Sequence, residues 1–164
     1  VCLNPGANWE PKRWPVTQWA GLIDRMQNAY PETGIVITGT SADRHLYERI
    51  YESCRRGARV TDLCGETTLG ELGALFKRAR AVVSADSGPM HIASGVGATV
   101  IALFGPTDHV ETGPRGRGSS HIVRRLPAGC STPCFNAACR ENRCMRSITP
   151  DEVFSLLTEK RILK

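Results

Sequence analysis

No segment of this chain approaches the roughly 18 to 20 consecutive apolar residues of a membrane-spanning helix, so the sequence offers no candidate span. It also lacks an internal repeat and a low-complexity tract, which excludes a solenoid and a compositionally biased linker. No charged leader or cleavage-site pattern precedes Val1. The chain opens directly on the strand-like Val1-Cys2-Leu3-Asn4 and reads as an excised domain. Acidic residues are scarce in one region. From Gly105 to Ile148 only Asp108, Glu111 and Glu141 face seven arginines, which confines most of the net charge of +5 to that segment. Such a local excess suits an anionic ligand, a phosphate or an acidic glycolipid, better than a nucleic-acid face spread over the whole domain. A spread, pairable set of cysteines is missing too. Four of the seven (Cys130, Cys134, Cys139, Cys144) are crowded together, unlike the disulfide framework of a small secreted protein.

What remains is a 164-residue chain with 41% apolar and 23% charged residues, long enough to bury a core as one globular domain. Its rhythm is strand, loop, helix. After Val1 to Asn4 and a Gly/Pro/Asn loop, Trp19, Leu22, Ile23 and Met26 recur at helical spacing, up to Tyr30-Pro31. Ile35-Val36-Ile37 is a β-branched run. Leu46, Ile50 and Cys54, with Tyr47 and Tyr51, predict a second helix, and a weak strand is expected near Ala58 to Val60. Thr68 and Glu71 form a capping box ahead of a third helix whose apolar face is Leu69, Leu72, Leu75, Phe76 and Ala79. Ala81 to Ala85 predicts a strand, Gly88 to Ser94 a helix and Thr99 to Phe104 an all-apolar strand covered on both faces. His121 to Arg125 reads as an edge strand. The Cys/Arg-rich segment 126–146 has neither period, and Thr149, Pro150 and Glu152 start a final helix over 149–161. The fold class expected is α/β, a Rossmann-like, doubly wound parallel sheet.

In such sheets ligands bind where strand ends lead into helix N-termini, and four loops stand out. Asn4-Pro5-Gly6-Ala7-Asn8 leads to Lys12, whose ammonium can meet a phosphate; the alternative is a solvated lysine beside Trp14 as a core anchor. Thr38 to Asp43 offers hydroxyls and a carboxylate suited to a ribose, or else an ordinary helix cap by Ser41 or Asp43. Asp86-Ser87-Gly88-Pro89-Met90-His91 follows a buried strand and opens a helix. Its free N–H groups, a glycine that admits close approach and His91 one turn in suit a pyrophosphate. Capping by Asp86 and Ser87 with a half-buried His91 is the other reading. A carboxylate beside a diphosphate makes sense only if it accepts from backbone N–H groups or sugar hydroxyls, which is the expectation for Asp86. Thr107, at the end of the last apolar strand, can meet a phosphate or sugar, or simply make the turn.

NPGANWEPKRWP, ITGTSADR, VVSADSGPMHIA and ALFGPTDHVETGP closely resemble, in order and spacing, the C-terminal half of bacterial heptosyltransferases of glycosyltransferase family 9, and CMRSITPDEV resembles the end of heptosyltransferase II-type members. The resemblance implies one half of a GT-B fold, with residues 1–164 forming the nucleotide-sugar domain. An N-terminal domain carrying the acceptor groove and the catalytic base would lie outside this sequence. It implies an inverting transfer of heptose from ADP-heptose to the inner core of lipopolysaccharide, in the bacterial cytoplasm at the inner membrane face. Lys12 then stabilises the leaving diphosphate, and Asp86, Ser87, Gly88 and His91 surround pyrophosphate and sugar. Asn8, Ser41, Asp43 and Thr107 complete the donor set. Where some relatives carry paired threonines this chain has Ala7 and Asn8, and where some carry a ribose-binding glutamate it has Ser41, with Asp43 two residues on. No cofactor is required for the transfer, and no residue of this half is the base.

The cysteines support a reading of another class. C-x3-C-x4-C-x4-C among arginines approaches a zinc-knuckle pattern, so Cys130, Cys134, Cys139 and Cys144 are candidate ligands for a structural zinc in a nucleic-acid-binding module. Phe135 alone supplies an aromatic there, too few for base stacking, which argues against nucleic acid as a partner. For these cysteines the alternatives to a metal are reduced, packed thiols or a disulfide, and for the chain a further alternative is a non-catalytic nucleotide-binding domain.

Overall fold

The computed structural model describes residues 1–163. Six parallel strands carry the fold: β1 (Cys2–Asn4), β2 (Ile35–Gly39), β3 (Val60–Cys64), β4 (Val82–Ala85), β5 (Val100–Phe104) and β6 (Ser120–Arg124). They lie in the order β3-β2-β1-β4-β5-β6. This is the doubly wound arrangement expected from the sequence, with its switch point between β1 and β4. Helices α1 (Val16–Ala29), α2 (Arg44–Ser53), α3 (Leu69–Arg78), α4 (Gly88–Gly95), α5 (His109–Thr112), α6 (Arg143–Arg146) and α7 (Pro150–Glu159) connect and cover the strands. None is long and apolar enough to cross a membrane among the described residues.

Strand alternation sorts the core into two layers. In β5, Val100, Ala102 and Phe104 pack with Leu72, Phe76, Met90 and Ala93 from α3 and α4. Ile101 and Leu103 face the other way, onto Trp19, Leu22, Ile23 and Met26 of α1 and Val153 and Leu157 of α7. Because both faces are covered, every β5 residue is buried, hence its unbroken apolar run. Trp14 enters the second layer edge-on to Trp19, ring centroids 4.9 Å apart. Its Nε1 donates to the Ile148 carbonyl at 3.0 Å, pinning the first loop to the C-terminal part of the chain.

Four expectations are corrected. The third strand runs over Val60–Cys64 rather than Ala58 to Val60. It is an edge strand with a polar middle, and Asp62 answers Arg44 across 3.5 Å, so the apolar signal that would mark it is missing. Leu69, the first residue of α3, is 75% exposed instead of contributing to its apolar face, which is carried by Leu72 and Phe76. The cysteine segment, expected without period, contains α6, which drives Cys144 and Met145 into the core. The last helix stops at Glu159, and Ile162 and Leu163 then fold back onto the core.

Candidate functional site

The carboxyl ends of β1 and β4 open on the crevice at the switch point, and two loops meet across it. Asn4, buried at the end of β1, donates through Nδ2 to the Thr38 carbonyl at 3.0 Å and to its hydroxyl at 3.2 Å, which locks the ends of β1 and β2 together. The chain then turns through Gly6 into a 3-10 turn, Glu10–Lys12, with Pro11 buried beneath it. Arg13 Nε holds the turn back against the Ala7 carbonyl at 3.0 Å. The Lys12 ammonium is thereby delivered to Asp86 Oδ2 at 2.7 Å, directly after β4. Asp86 is only 5% exposed and Lys12 22%, so the pair is largely out of water. The same oxygen accepts from Thr112 Oγ1 of α5 at 3.1 Å.

Asp86 therefore does not cap the helix that follows. Its donors within the chain are an ammonium and a hydroxyl rather than backbone N–H groups, which with sugar hydroxyls are the two kinds of donor expected of it. Ser87 is the N-cap of α4 but makes no side-chain cap; its Oγ lies 3.1 Å from Ser84 Oγ instead. The first N–H groups of α4 consequently keep their donor capacity, with Pro89 removing one of them. A Cβ on Gly88 would meet nothing within 4 Å, so the approach to these amides is open. His91 stands exposed on the helix, not half-buried.

On the neighbouring strand end, Asp43 closes a tight turn. Its Oδ2 accepts from Thr40 N at 2.9 Å and Thr40 Oγ1 at 2.7 Å, so Thr40 rather than Ser41 pairs with it. The carboxylate also lies against the first loop, because a Cβ on Gly6 would come within 2.9 Å of its Cγ. Ser41 and Asn8 are exposed. Ser41 is backed by Gly65, which adopts φ +79° and where any Cβ would fall 2.9 Å from the Ser41 Cα. At the end of β5, Thr107 is half-buried, and its Oγ1 is a buried hydroxyl with no partner among the described residues. Asn4 Oδ1 has the same status.

The structure thus joins Lys12 directly to Asp86, sets Ser87 and Gly88 at the adjoining helix start, and places Asp43 one strand away and Thr107 one strand away on the other side. Ser41 and Asn8 touch none of them through a hydrogen bond, and His91 meets Ser87 only through its backbone N–H, which donates to the Ser87 carbonyl at 3.4 Å. Thr112 and Asn4 escaped the sequence reading. Thr112 lies four residues after the Asp108 that caps α5, a spacing that returns it toward the strand ends; Asn4 is marked only as the polar residue that closes an apolar strand. Chemically, a mostly dehydrated ammonium beside uncapped amides can take up an anion, provided that the anion displaces the carboxylate paired with that ammonium.

The cysteines lie next to the first loop and the loop after β5. Cys130, Cys134, Cys139 and Cys144 line one hollow of about 450 Å³ together with Pro11 and Pro106. None forms a disulfide. Burial pushes the Cys144 thiol above its ordinary value, and the nearby Cys130 and Cys139 add to the shift.

Comparison with known proteins gives a consistent result. The family model described as glycosyltransferase family 9 (heptosyltransferase) matches residues 1–145. Lipooligosaccharide heptosyltransferase 2 of Campylobacter jejuni is 30% identical over 156 residues, 92% of this chain and 48% of that protein. The solved E. coli ADP-heptose LPS heptosyltransferase II superposes with a TM-score of 0.81 at 25% identity, covering 96% of this chain and 45% of that one. E. coli heptosyltransferase WaaC with ADP shares the fold, with a TM-score of 0.74 at 20% identity, over 97% of this chain and 43% of that one. The chain spans about half the length of the curated heptosyltransferase 2 proteins from Campylobacter jejuni that it matches. Lys12, Asp86 and Thr112 lie inside the matched residues, and on that extent of agreement the chain belongs to glycosyltransferase family 9, the heptosyltransferases.

Proposed function

We propose that this domain holds the nucleotide-sugar donor of an enzyme that transfers heptose from ADP-heptose to the inner core of lipopolysaccharide. The observation that carries the reading is the Lys12–Asp86 pair at the switch point, beside the uncapped start of α4. One relative solved with ADP and another named for ADP-heptose support this choice of donor. The zinc-knuckle reading of the chain as a nucleic-acid module gives way to the family assignment.

In this proposal the diphosphate displaces Asp86 from Lys12 and lies over Gly88, taking the free amides of α4. Negative charge grows on the leaving diphosphate as the anomeric bond breaks, and an ammonium and amides fixed in place stabilise it more than they stabilise the ground state. Asp86, released from Lys12 but still held by Thr112, accepts from sugar hydroxyls. Thr107 and His91 reach the phosphate or sugar. Asp43 and Ser41 face the ribose side, and Asn8 flanks the phosphates in place of the threonines some relatives carry. The acceptor hydroxyl and the base that deprotonates it belong to the other half of the enzyme, at the cytoplasmic face of the membrane, where the arginines after Gly105 meet an anionic acceptor.

The division of labour has a direct test. In calorimetry the 164-residue chain should bind ADP-heptose, yet produce no heptosylated product when given acceptor. Measurable transfer by this chain alone would overturn the assignment of the base to another domain.

A further inference from the structure

The hollow next to the first loop is unusual in its chemistry. Four of the chain's seven cysteines line it, and all are free thiols. Three ride on the stretch from Leu126 to Asn142, which forms turns and bends but no helix or strand. An irregular stretch of that length within a compact domain is uncommon unless something organises it. The fourth, Cys144, is fixed: α6 carries it, and it packs so close to β5 that a Cβ on Gly105 would fall 3.0 Å from its Sγ. Arg140 and Arg143 line the same hollow, opposed only by Glu141 among its charged residues. Net positive surroundings suit the doubly negative complex that four thiolates make with a divalent ion.

We propose that Cys130, Cys134, Cys139 and Cys144 form a tetrathiolate site for one thiophilic divalent cation, Zn²⁺ or Fe²⁺. Soft sulfur donors in a set of four select such ions over Mg²⁺ or Ca²⁺. The four thiols line one hollow but are not gathered into a ligand set; among the described residues no group of three His, Cys, Asp or Glu side chains is placed closely enough to hold an ion. Metal–sulfur bonds of about 2.3 Å require Cys130, Cys134 and Cys139 to close onto the anchored Cys144, which turns permit and a helix or strand would not. Four thiols and one M²⁺ give the complex plus four protons, with no change of oxidation state.

Closure would tie the segment to two of the four loops. Cys134 N donates to the Pro106 carbonyl at 2.7 Å, one residue before Thr107. Asn142 Nδ2 donates to the Arg13 carbonyl at 2.8 Å, one residue after Lys12. The ion would act as a staple for those two loops, in a role the proposed transfer chemistry does not use.

Elemental analysis of the chain purified anaerobically under reducing conditions, after reconstitution separately with Zn²⁺ and Fe²⁺, tests this. One equivalent of either metal per chain is expected. Cys134→Ser and Cys139→Ser should each lower retention at least tenfold, while Cys54→Ser keeps it. Co²⁺ should give the intense sulfur-to-metal absorption of a tetrahedral thiolate site, and metal loading should shield Cys130, Cys134 and Cys139 from a thiol reagent while Cys54 stays reactive. Substoichiometric metal in both preparations, with the accessible thiols reacting to the same extent with and without added ion, would overturn the proposal. So would recovery of these cysteines as disulfides from the reduced preparation. Neither outcome depends on nucleotide binding.

Discussion

Replacing Asp86 with Asn separates two roles for the carboxylate at the switch point. The substitution preserves size but removes the charge whose Oδ2 lies 2.7 Å from Lys12 Nζ and 3.1 Å from Thr112 Oγ1. Breaking a fully buried pair by removing one partner costs roughly 3 to 5 kcal/mol, whereas an exposed pair is worth less than about 1. This pair lies between those limits, because Asp86 is 5% exposed but Lys12, at 22%, can turn its ammonium to water. Asn also still accepts from Thr112. A loss of about 1 to 2 kcal/mol follows, or roughly 2 to 8 °C in melting temperature for a domain of this size. Nucleotide binding should respond differently. With the competing carboxylate gone, Lys12 is free for the diphosphate, so ADP affinity should hold or rise by up to about tenfold, roughly 1.4 kcal/mol. ADP-heptose should instead weaken by about 1 to 2 kcal/mol relative to ADP, through the lost sugar contact. Calorimetric titration of both ligands against both proteins, with a thermal melt of each, gives all the quantities needed. A parallel loss of both ligands that tracks the lost stability would refute the sugar-orienting role.

Lys12→Ala should weaken ADP by roughly 1 to 3 kcal/mol and, since it strands a buried carboxylate, also lower the melting temperature; unchanged ADP affinity in the folded variant would remove Lys12 from the phosphate site. Thr149→Ala should cost about 1 kcal/mol in urea denaturation, because its hydroxyl pairs with Glu152 N at 3.3 Å and Oε2 at 3.0 Å to start α7; a loss under a few tenths would show the cap is idle. Burial pushes the Cys64 thiol up to about 12, so the folded chain keeps this proton where the unfolded chain releases it above about pH 9. The stability it contributes is therefore complete below pH 9 and lost as the pH rises toward 12. Between pH 8 and 10 the loss is about 1.4 kcal/mol, and Cys64→Ala should flatten that part of the urea-stability profile; an unchanged slope would contradict this.

The elements that could be read from the sequence are those whose signals are local. Val100–Phe104 declares itself by an unbroken apolar run, and α3 and α7 by capping boxes whose partners stand three residues apart. The strand Val60–Cys64 does not, because its place is set by pairing with β2, Ile35 opposite Val60, rather than by its own polar residues. The site divides in the same way. Lys12 and Asp86 each stand out by position after a strand, but their contact spans 74 residues and exists only because β1 and β4 are neighbours in the sheet. Thr112 is invisible for the same reason. Asp43 illustrates a subtler limit: its spacing suits either a ribose or a turn, and only the geometry reveals that one oxygen already serves Thr40.

The most direct measurement of the central claim is a calorimetric titration of this chain with ADP, UDP and GDP under identical conditions. If the crevice between β1 and β4 holds the nucleotide of an ADP-heptose donor, ADP should bind at least tenfold more tightly than either of the others. Equal affinities, or no detectable binding of ADP, would contradict it.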